Sequence, residues 1–425
     1  MTDTLTASAA TTDATPRFAA AKAASRRLAT ATSGERDRGL ESIAAALLAA
    51  ADRVLEANAL DLSAAQSAGM AEGLQDRLRL DQQRVARLAD AVLQIAALPD
   101  PVGEVLRGRT LPNGLRLSQV RVPFGVVGAI YEARPNVTVD ITALALKSGN
   151  AVVLRGGTAA QQTNGVLVDV IRDALAAAGL PAEAVQSVDD LGRDGAAQLM
   201  RARGFVDVLV PRGSAALIDA VVRESTVPVI ETGAGVVHVF LDASADERMA
   251  TEIVLNAKTQ RVGVCNALET LLVHRDAAPR LLPAVAEALQ RAGVVLHADD
   301  EARAVLPDAV PATDADWATE YGSLDLTVGV VDDLEAAVAH IDRFSTHHTE
   351  SIVTNDLANA ERFLAEVDSA VVMVNASPRF SDGGEFGFGA EVGISTQKLH
   401  ARGPMGLPEL TSTKWLVRGD GQTRA

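Results

Sequence analysis

The chain has 425 residues, of which 48% are hydrophobic, so it can bury a large core and exceeds the usual size of a single domain. Its formal net charge of −16, from 55 acidic and 39 basic residues, disfavours binding to nucleic acid or to an anionic membrane surface. We therefore expect about two or three globular domains that bind small molecules or other proteins, with no nucleic-acid or membrane partner.

The cysteine content and the start of the chain predict a cytoplasmic protein. The single cysteine cannot form an intramolecular disulfide, and no charged segment followed by an apolar signal core is present at the start. The longest apolar run near the start, residues 43–51, is far shorter than the roughly 18 residues that span a bilayer. The sequence therefore predicts no transmembrane helix.

The first hundred residues are predicted to be mostly helical. Residues 1–14 are small and polar and are expected to form a disordered tail. From Ser33, a predicted helix N-cap, apolar residues recur at the spacing of one helical face. Residues 115–122 then read as a strand interrupted near its middle, after an Asn-Gly turn. This segment is predicted to be a hairpin arm.

Alternating short β-rich runs and helix-like stretches between residues 125 and 241 predict βαβ units with a mostly parallel sheet. A second α/β portion begins near Asp242. A glycine-rich segment starts at Gly383, and the chain closes with LTSTKWLV, a strand without an obvious partner nearby.

Cys265 is the only cysteine, and its sequence context leaves two interpretations open. Lys258 and Arg261 lie just upstream, and the thiol is predicted to lie between two elements, where cations can lower its pKa and make it a nucleophile. A lone cysteine can equally be a small apolar filler. The seven histidines form no HExxH pattern, and one cysteine cannot build a thiolate site, so no metal is expected.

The nucleotide-binding signals are also ambiguous when each is taken alone. The chain has no GxGxxG fingerprint, but a strand runs into Pro211-Arg212-Gly213-Ser214, where a helix N-terminus could hold a phosphate or form only a sharp turn. Arg155 follows another strand and would suit the 2′-phosphate of NADP. ETGAG at 231–235 can be merely a tight turn, and HHTE at 347–350 merely an exposed polar turn.

Taken together, the ordered motifs resemble the aldehyde dehydrogenase superfamily, and within it the γ-glutamyl phosphate reductase family. The resemblance runs from about residue 15 to about residue 420. It is carried by YEARPNVTVD, LKSGNAVVLRGG, VPRGS, NAKTQRVGVCNALETLLVH, STHHTESIVT and NASPRFSDGGEFGFG.

The resemblance implies NADPH-dependent reduction of L-glutamate 5-phosphate to L-glutamate 5-semialdehyde with release of phosphate, the second step of proline biosynthesis from glutamate. It implies that Cys265 forms a thioester, and that the Asn136 amide and the Cys265 backbone N–H stabilise the oxyanion. Glu231 falls where hydrolytic members keep a water-activating carboxylate. Its role here is open between cofactor positioning and thiol deprotonation.

The resemblance also assigns the binding residues. The cofactor is expected to be NADP(H), held by Arg155, Gly213, Ser214 and Glu320, the last at the nicotinamide ribose. The family usually has a lysine where this chain has Thr158. A substrate with a carboxylate and a phosphate calls for cations and hydroxyls, and the candidates are Arg261, Ser345, His347, His348 and Arg379.

The fold implied is α/β and aldehyde dehydrogenase-like, with a Rossmann-type cofactor domain, an α/β catalytic domain and a small β oligomerisation arm. The expected division is a cofactor domain of residues 15–112 and 125–241, a catalytic domain of 242–378, an arm of 113–124 and 395–425, and a return to the cofactor domain over 379–394. The arm implies a homodimer or a dimer of dimers. The family's pathway also suggests a complex with glutamate 5-kinase, which would shelter the labile acyl phosphate.

Two other functions compete with this interpretation. One is a dehydrogenase that oxidises a different small aldehyde by hydrolysis, which would not need phosphate. The other is a non-catalytic nucleotide-binding or scaffolding protein, against which the joint presence of Cys265, Asn136 and Glu320 speaks.

Overall fold

The computed structural model describes residues 13–424. Its α-helices are α1 (Thr15–Leu28), α2 (Ser33–Ala49), α3 (Ala51–Ser67), α4 (Glu72–Leu78), α5 (Gln82–Ala97), α6 (Pro135–Lys147), α7 (Gln161–Ala177), α8 (Gly192–Met200), α9 (Ala215–Glu224), α10 (Glu247–Thr259), α11 (Ala278–Arg291), α12 (Asp300–Val305), α13 (Leu334–Phe344) and α14 (Leu357–Glu366). The helical start of the chain is confirmed. Within the described residues, none of the helices combines the length and the hydropathy needed to cross a membrane.

The strands follow the same alternating order. They are β1 (Val105–Thr110), β2 (Arg116–Pro123), β3 (Val126–Tyr131), β4 (Ala151–Arg155), β5 (Val185–Ser187), β6 (Val208–Arg212), β7 (Val237–Leu241), β8 (Leu268–His274), β9 (Val295–Ala298), β10 (Val310–Pro311), β11 (Asp325–Val331), β12 (Thr349–Val353), β13 (Val371–Val374), β14 (Gly393–Ser395), β15 (Gly403–Met405) and β16 (Thr411–Arg418).

The first of two compact units contains the described residues up to Ile230 and those from Gly406 onward. Its central sheet is parallel, with the order β5-β4-β3-β6. Strand β3 is buried throughout its length, as is typical of a parallel strand that is covered on both faces. The predicted βαβ pattern of this region is confirmed.

The second unit, residues 231–405, has a parallel sheet in the order β10-β9-β11-β8-β7-β12-β13. Alternate residues of its central strands face opposite sides, because side chains alternate along a strand. Val239 and Leu271 join the core formed with helices α10 and α11, whereas Phe240 and Leu272 join the core formed with α13 and α14. Helices therefore cover both faces of this sheet.

The N-terminal boundary differs slightly from the sequence prediction. Of the expected tail, residues 1–12 lie outside the described residues, but Ala14 is buried and its N–H donates a 2.8 Å hydrogen bond to Gln198 Oε1. Helix α2 is capped by Thr32 and not by the expected Ser33. Thr32 and Glu35 form a reciprocal capping box, in which the Thr32 N–H donates to Glu35 Oε2 at 2.7 Å.

The hairpin arm contains both strands that had no obvious partner in the sequence. β2 is continuous and not interrupted, and it pairs antiparallel with β1 on one side and with β16 on the other. The irregularity lies instead in β1, between Val105 and Arg107. The expected arm therefore gains residues 105–110, because the outer edge of β2 needs a partner for its backbone groups.

The division between the two units also differs from the expected one. The boundary lies at residues 230/231 and not at 241/242. The reason is that β7, which was assigned to the cofactor domain, pairs with β8 and β12 inside the second sheet. Its backbone hydrogen bonds thus belong entirely to the second unit.

Residues 379–394, expected to return to the cofactor domain, lie in the second unit, as do residues 395–405, which were assigned to the arm. Asn266 Nδ2 donates to the carbonyl oxygen of Ser381 at 3.0 Å, and β14 pairs with β15. These hydrogen bonds attach the glycine-rich segment to the unit that carries Cys265.

The entry to β3 gives a stability prediction. Gly125 has φ +125°, and a Cβ there would lie 2.4 Å from Asp207 Oδ2, an atom that also bonds to Lys22 Nζ at 2.7 Å and accepts the Val126 N–H at 2.8 Å. Gly69 has φ +72° but open space around its Cα. We expect Gly69→Ala to lower the free energy of unfolding by about 1–2 kcal/mol and Gly125→Ala to lower it by more, because Asp207 must also move.

Denaturant unfolding of the two variants measures this difference within one unit. Equal losses for Gly69→Ala and Gly125→Ala would contradict a constraint from Asp207.

Candidate active site

Cys265 lies in the connection between α10, which ends at Thr259, and β8, which begins at Leu268. The residue is only partly buried. This confirms the predicted location between two elements. A loop position with access to solvent suits a reactive thiol and not an apolar filler.

The loop of residues 231–235 packs directly against the backbone of Cys265. A Cβ on Gly235 would lie 1.5 Å from the Cys265 carbonyl oxygen, and one on Gly233 would lie 2.7 Å from Thr396 Cγ2. Neither glycine has a positive φ. The interpretation of this motif as merely a tight turn is therefore wrong: the glycines allow close approach of neighbouring atoms.

Glu320 joins this cluster through the same glycine, since the backbone amide of Gly235 lies near enough to its carboxylate to affect the carboxyl pKa. Although the residue as a whole is exposed, partial loss of hydration raises the pKa of the Glu320 carboxyl, and the Gly235 amide opposes that rise. Two of the predicted site residues, Cys265 and Glu320, thus lie beside one glycine.

Glu231 is half-buried and paired with Gln397. The Glu231 N–H donates to Gln397 Oε1 at 3.0 Å, and Gln397 Nε2 donates to Glu231 Oε2 at 3.3 Å. The next residue, Thr232, forms an antiparallel bridge with Ser395. The structure therefore holds the Glu231 carboxylate beside the segment that follows β14.

Arg379 and Arg261 supply positive charge near the thiol. Arg379 Nε donates to Gln260 Oε1 at 2.9 Å, whereas Arg261 is exposed. Burial lowers the pKa of Arg379, Arg261 lowers it further, and Asp382 and Cys265 oppose the shift. A cavity of about 190 Å³ adjoins this region, lined by Asn256, Gln260, Arg379, Phe380, Asp382 and Glu385.

The segment from Ser345 to Glu350 forms an internal network. Ser345 Oγ donates to Glu350 Oε1, and Glu350 Oε2 accepts the His238 N–H at 2.8 Å. His348 and Glu350 are completely buried, and His347 has φ 58°. The exposed-turn interpretation is therefore wrong for this segment. These contacts favour support of β7 and β12 over binding of a substrate.

In the first unit, Asn136 lies in the first turn of α6 and is exposed. Its Nδ2 donates to Asp140 Oδ2 at 3.1 Å. Loss of hydration raises the pKa of Asp140 to about 6, which the Asn136 hydrogen bond and Arg212 oppose. The side-chain amide thus stands at a helix N-terminus with one of its two N–H groups directed to Asp140.

The expected phosphate site at the start of α9 holds a carboxylate. Ser214 caps this helix, and its N–H and Oγ donate to the Glu132 carboxylate at 3.0 and 2.8 Å. A Cβ on Gly213 would lie 2.9 Å from Glu132 Cδ. Arg155, at the end of β4, donates from Nε to the Gly192 carbonyl oxygen at 3.2 Å. The donors of Ser214 therefore bind an anion in this structure.

Three residues that support the site were not identified from the sequence, namely Glu132, Glu269 and Gln397. Lys258 was expected only as a cation near the thiol, whereas the structure pairs it with Glu269. For Lys258 and Glu269, the available signal is a pair of opposite charges on either side of the Cys265 connection, with Glu269 inside a mostly apolar run. Within residues 13–424, no group of three or more His, Cys, Asp or Glu side chains is arranged to hold a metal ion.

The aldehyde dehydrogenase family model matches residues 4–307. The chain is 73% identical over 405 residues to a protein named gamma-glutamyl phosphate reductase from Clavibacter michiganensis subsp. michiganensis, covering 95% of this chain and 94% of that relative. The chain belongs to the γ-glutamyl phosphate reductase family. A relative of the same name from Leifsonia xyli subsp. xyli is 67% identical over 97% of this chain and 98% of its own length.

Solved structures confirm the aldehyde dehydrogenase-like fold. The crystal structure of γ-glutamyl phosphate reductase from Thermotoga maritima has a TM-score of 0.95 at 44% identity and covers 97% of this chain and 99% of its own. An acetylating aldehyde dehydrogenase from Geobacillus thermoglucosidasius, at 18% identity and a TM-score of 0.68, shares the fold. The predicted resemblance and fold class of this γ-glutamyl phosphate reductase family member are thus confirmed.

Burial of His348 predicts a loss of stability at mildly acidic pH. Desolvation lowers the pKa of His348 to about 4, from an ordinary value of 6.5. Between these values the unfolded chain binds more protons, so the free energy of unfolding falls as the pH drops below 6.5. The loss through this residue at pH 5.5 is about 1.4 kcal/mol.

Urea unfolding at pH 7.5 and 5.5 measures the effect. A His348→Gln variant, which cannot titrate, is expected to show a smaller loss, and an unchanged loss would contradict the role of His348.

Proposed function

We propose that the chain reduces γ-glutamyl phosphate to glutamate 5-semialdehyde, the reductive step of proline biosynthesis, through a thioester on Cys265. The observation that carries the proposal is the cluster in which the partly exposed Cys265 rests on Gly235, the Gly235 amide lies near Glu320, and Arg379 lies within electrostatic reach of the thiol. The family membership supports the same reaction.

The chemistry begins with the thiolate of Cys265. Its sulfur attacks the γ-acyl carbon, the S–C bond forms, the C–O bond to the phosphoryl group breaks, and inorganic phosphate leaves. Arg379 favours the thiolate over the thiol because its positive charge interacts with Cys265. After hydride addition, the thiohemiacetal collapses and its C–S bond breaks. The semialdehyde is released, and the Cys265 thiolate is regenerated.

Both additions place negative charge on the same carbonyl oxygen. We assign its stabilisation to the Cys265 backbone N–H and, as the family resemblance implies, to the Asn136 amide. Loss of such a donor typically raises the activation barrier by about 2.7–4 kcal/mol.

The aldehyde dehydrogenase family uses nicotinamide cofactors. We assign NADP(H) to this chain; when bound, it would supply or accept the hydride. The donors of Ser214 fit an anion because they already hold a carboxylate, and the exposed Glu132 side chain can leave this position for a phosphate. Arg155 suits a 2′-phosphate, and Glu320 would hold the nicotinamide ribose through its hydroxyls.

The substrate's anionic groups require cations. Of the five candidates from the sequence, Arg261 and Arg379 are the ones that the local contacts favour, because Ser345 and His348 belong to an internal network and His347 lies between them. Arg379 lines the cavity of about 190 Å³, so its guanidinium could bind an anionic group of a substrate placed there.

The test is NADP reduction by the purified protein with glutamate 5-semialdehyde, with and without phosphate or arsenate. We expect activity that requires phosphate, prefers NADP over NAD, and is absent in Cys265→Ala, because the thioester can be released to phosphate alone. Since Cys265 is the only cysteine, mass spectrometry of a trapped acyl adduct reports this site alone.

Two outcomes would contradict the proposal. Activity that does not need phosphate would indicate a hydrolytic dehydrogenase, with Glu231 as its base. Activity that survives in Cys265→Ala would exclude the thioester.

The arm supports a second proposal, that two copies of this chain associate through it. The antiparallel sheet β1-β2-β16 exposes large apolar side chains, namely Val105, Leu106, Trp415 and Val417. Residues of β1 are exposed along the whole strand. Exposed strands with apolar side chains are edges that another chain can cover.

Sedimentation at micromolar concentration is expected to give a dimer or a larger homo-oligomer. Trp415→Glu should shift the protein toward the monomer without lowering the Tm, because the charge lies on an exposed face. Leu60→Glu, at an exposed leucine of α3, is the matched control and should leave the mass unchanged. A monomeric parent protein would contradict association through the arm.

A further inference from the structure

A buried ion pair closes the two ends of the connection that carries Cys265. Lys258, in the last turn of α10, and Glu269, in β8, both have side chains with 0% exposure, and Lys258 Nζ lies 2.6 Å from Glu269 Oε2. The same Nζ donates to the Leu268 carbonyl oxygen at 2.9 Å. The nucleophile loop is therefore fixed at its base.

The second carboxylate oxygen of Glu269 reaches another loop. Gly322 donates its N–H to Glu269 Oε1 at 3.3 Å and has φ +60°. The ring of Tyr321 lies 5.8 Å from Lys258 Nζ, and its hydroxyl donates to Asp316 at 2.8 Å. One ion pair thus holds the nucleophile loop and the segment that carries Glu320.

The two loops also meet at their tips. The Gly235 backbone amide lies near enough to Glu320 to lower the pKa of its carboxyl, and Gly235 packs against the carbonyl of Cys265. The two loops are therefore connected twice. At their tips, Cys265 and Glu320 are linked through Gly235, and at their bases Gly322 is linked to the Lys258–Glu269 pair. A displacement at the ion pair would therefore move both loops.

Stability alone does not explain a fully buried ion pair, because apolar residues of similar volume are often as stable or more stable at such a position. The cost of burial is visible in the pair: desolvation raises the pKa of Glu269 to about 7 and lowers the pKa of Lys258. What the charges provide and apolar groups cannot is a fixed acceptor for the Gly322 amide.

We propose that Lys258 and Glu269 are positioning residues that hold the loops of Cys265 and Glu320 in one arrangement. The proposal rests on the proposed function for the roles of Cys265 and Glu320. Neither residue of the pair touches the substrate; they act through the two loops.

The decisive variant is Lys258→Met combined with Glu269→Leu, which removes both charges and keeps the volume, so the fold is expected to persist. We expect a Tm close to that of the parent protein and a kcat lowered by about 100-fold, the effect of a small misplacement of reacting groups. The KM for NADP is also expected to rise, because Glu320 is displaced.

Two further measurements separate positioning from a purely structural role. In a Glu320→Gln background, removing the pair should no longer raise the KM for NADP, since the pair acts through Glu320. Hydrogen exchange of peptides covering residues 260–267 and 319–322 should accelerate in both together. Asp37→Asn, which breaks the partly buried Lys147–Asp37 pair of the other unit, is the control and should accelerate neither.

An apolar double variant with the kcat and KM of the parent would overturn the proposal, as would faster exchange in only one of the two loops. The exchange experiment needs no substrate. It therefore tests the coupling between the loops even if the phosphate-dependent assay contradicts the proposed function.

Discussion

The contact between Gly235 and the carbonyl of Cys265 is the constraint on which the candidate site depends. A single added methyl group at Gly235 would overlap the carbonyl oxygen of Cys265, so this position allows only glycine. The backbone amide of the same residue lies near the Glu320 carboxylate and lowers its pKa. Close packing at one position thus brings the thiol and a carboxylate to a common place within the second unit.

Around that contact, two buried carboxylates of strands β8 and β12 form hydrogen bonds to other segments. Glu350 binds the His238 backbone and Ser345, and Glu269 binds Lys258 and the Gly322 amide. Each carboxylate bridges segments distant in sequence, which apolar packing alone would not hold in one register. The second unit therefore has a core that specifies loop positions as well as stability.

In the first unit, carboxylates likewise accept hydrogen bonds from residues at helix N-termini. Ser214 presents its N–H and hydroxyl at the start of α9, and Glu132 occupies them. An intramolecular carboxylate satisfies these donors in this structure. Asn136 is likewise held by Asp140 at the start of α6. In both cases a residue at the start of a helix donates hydrogen bonds to a nearby carboxylate.

Local patterns in the sequence predicted the helical start, the two parallel sheets and the position of Cys265 between α10 and β8, because hydrophobic periodicity and turn residues act over short distances. Local patterns did not reveal the partner of LTSTKWLV, since β2 and β16 are separated by most of the chain. Nor did they place β7 and residues 379–394 in the second unit, because strand order is decided by packing between distant segments.

By itself, the sequence determined the α/β class, the family resemblance and the identity of the only thiol, all of which depend on residue type and order. The tertiary structure alone decided that Glu132 occupies the Ser214 donors, that His348 and Glu350 are buried, and that Lys258 and Glu269 join two loops. The physical reason is that hydrogen bonds, ion pairs and desolvation depend on distances between residues that are remote in the chain, and those distances exist only once the sheets have assembled.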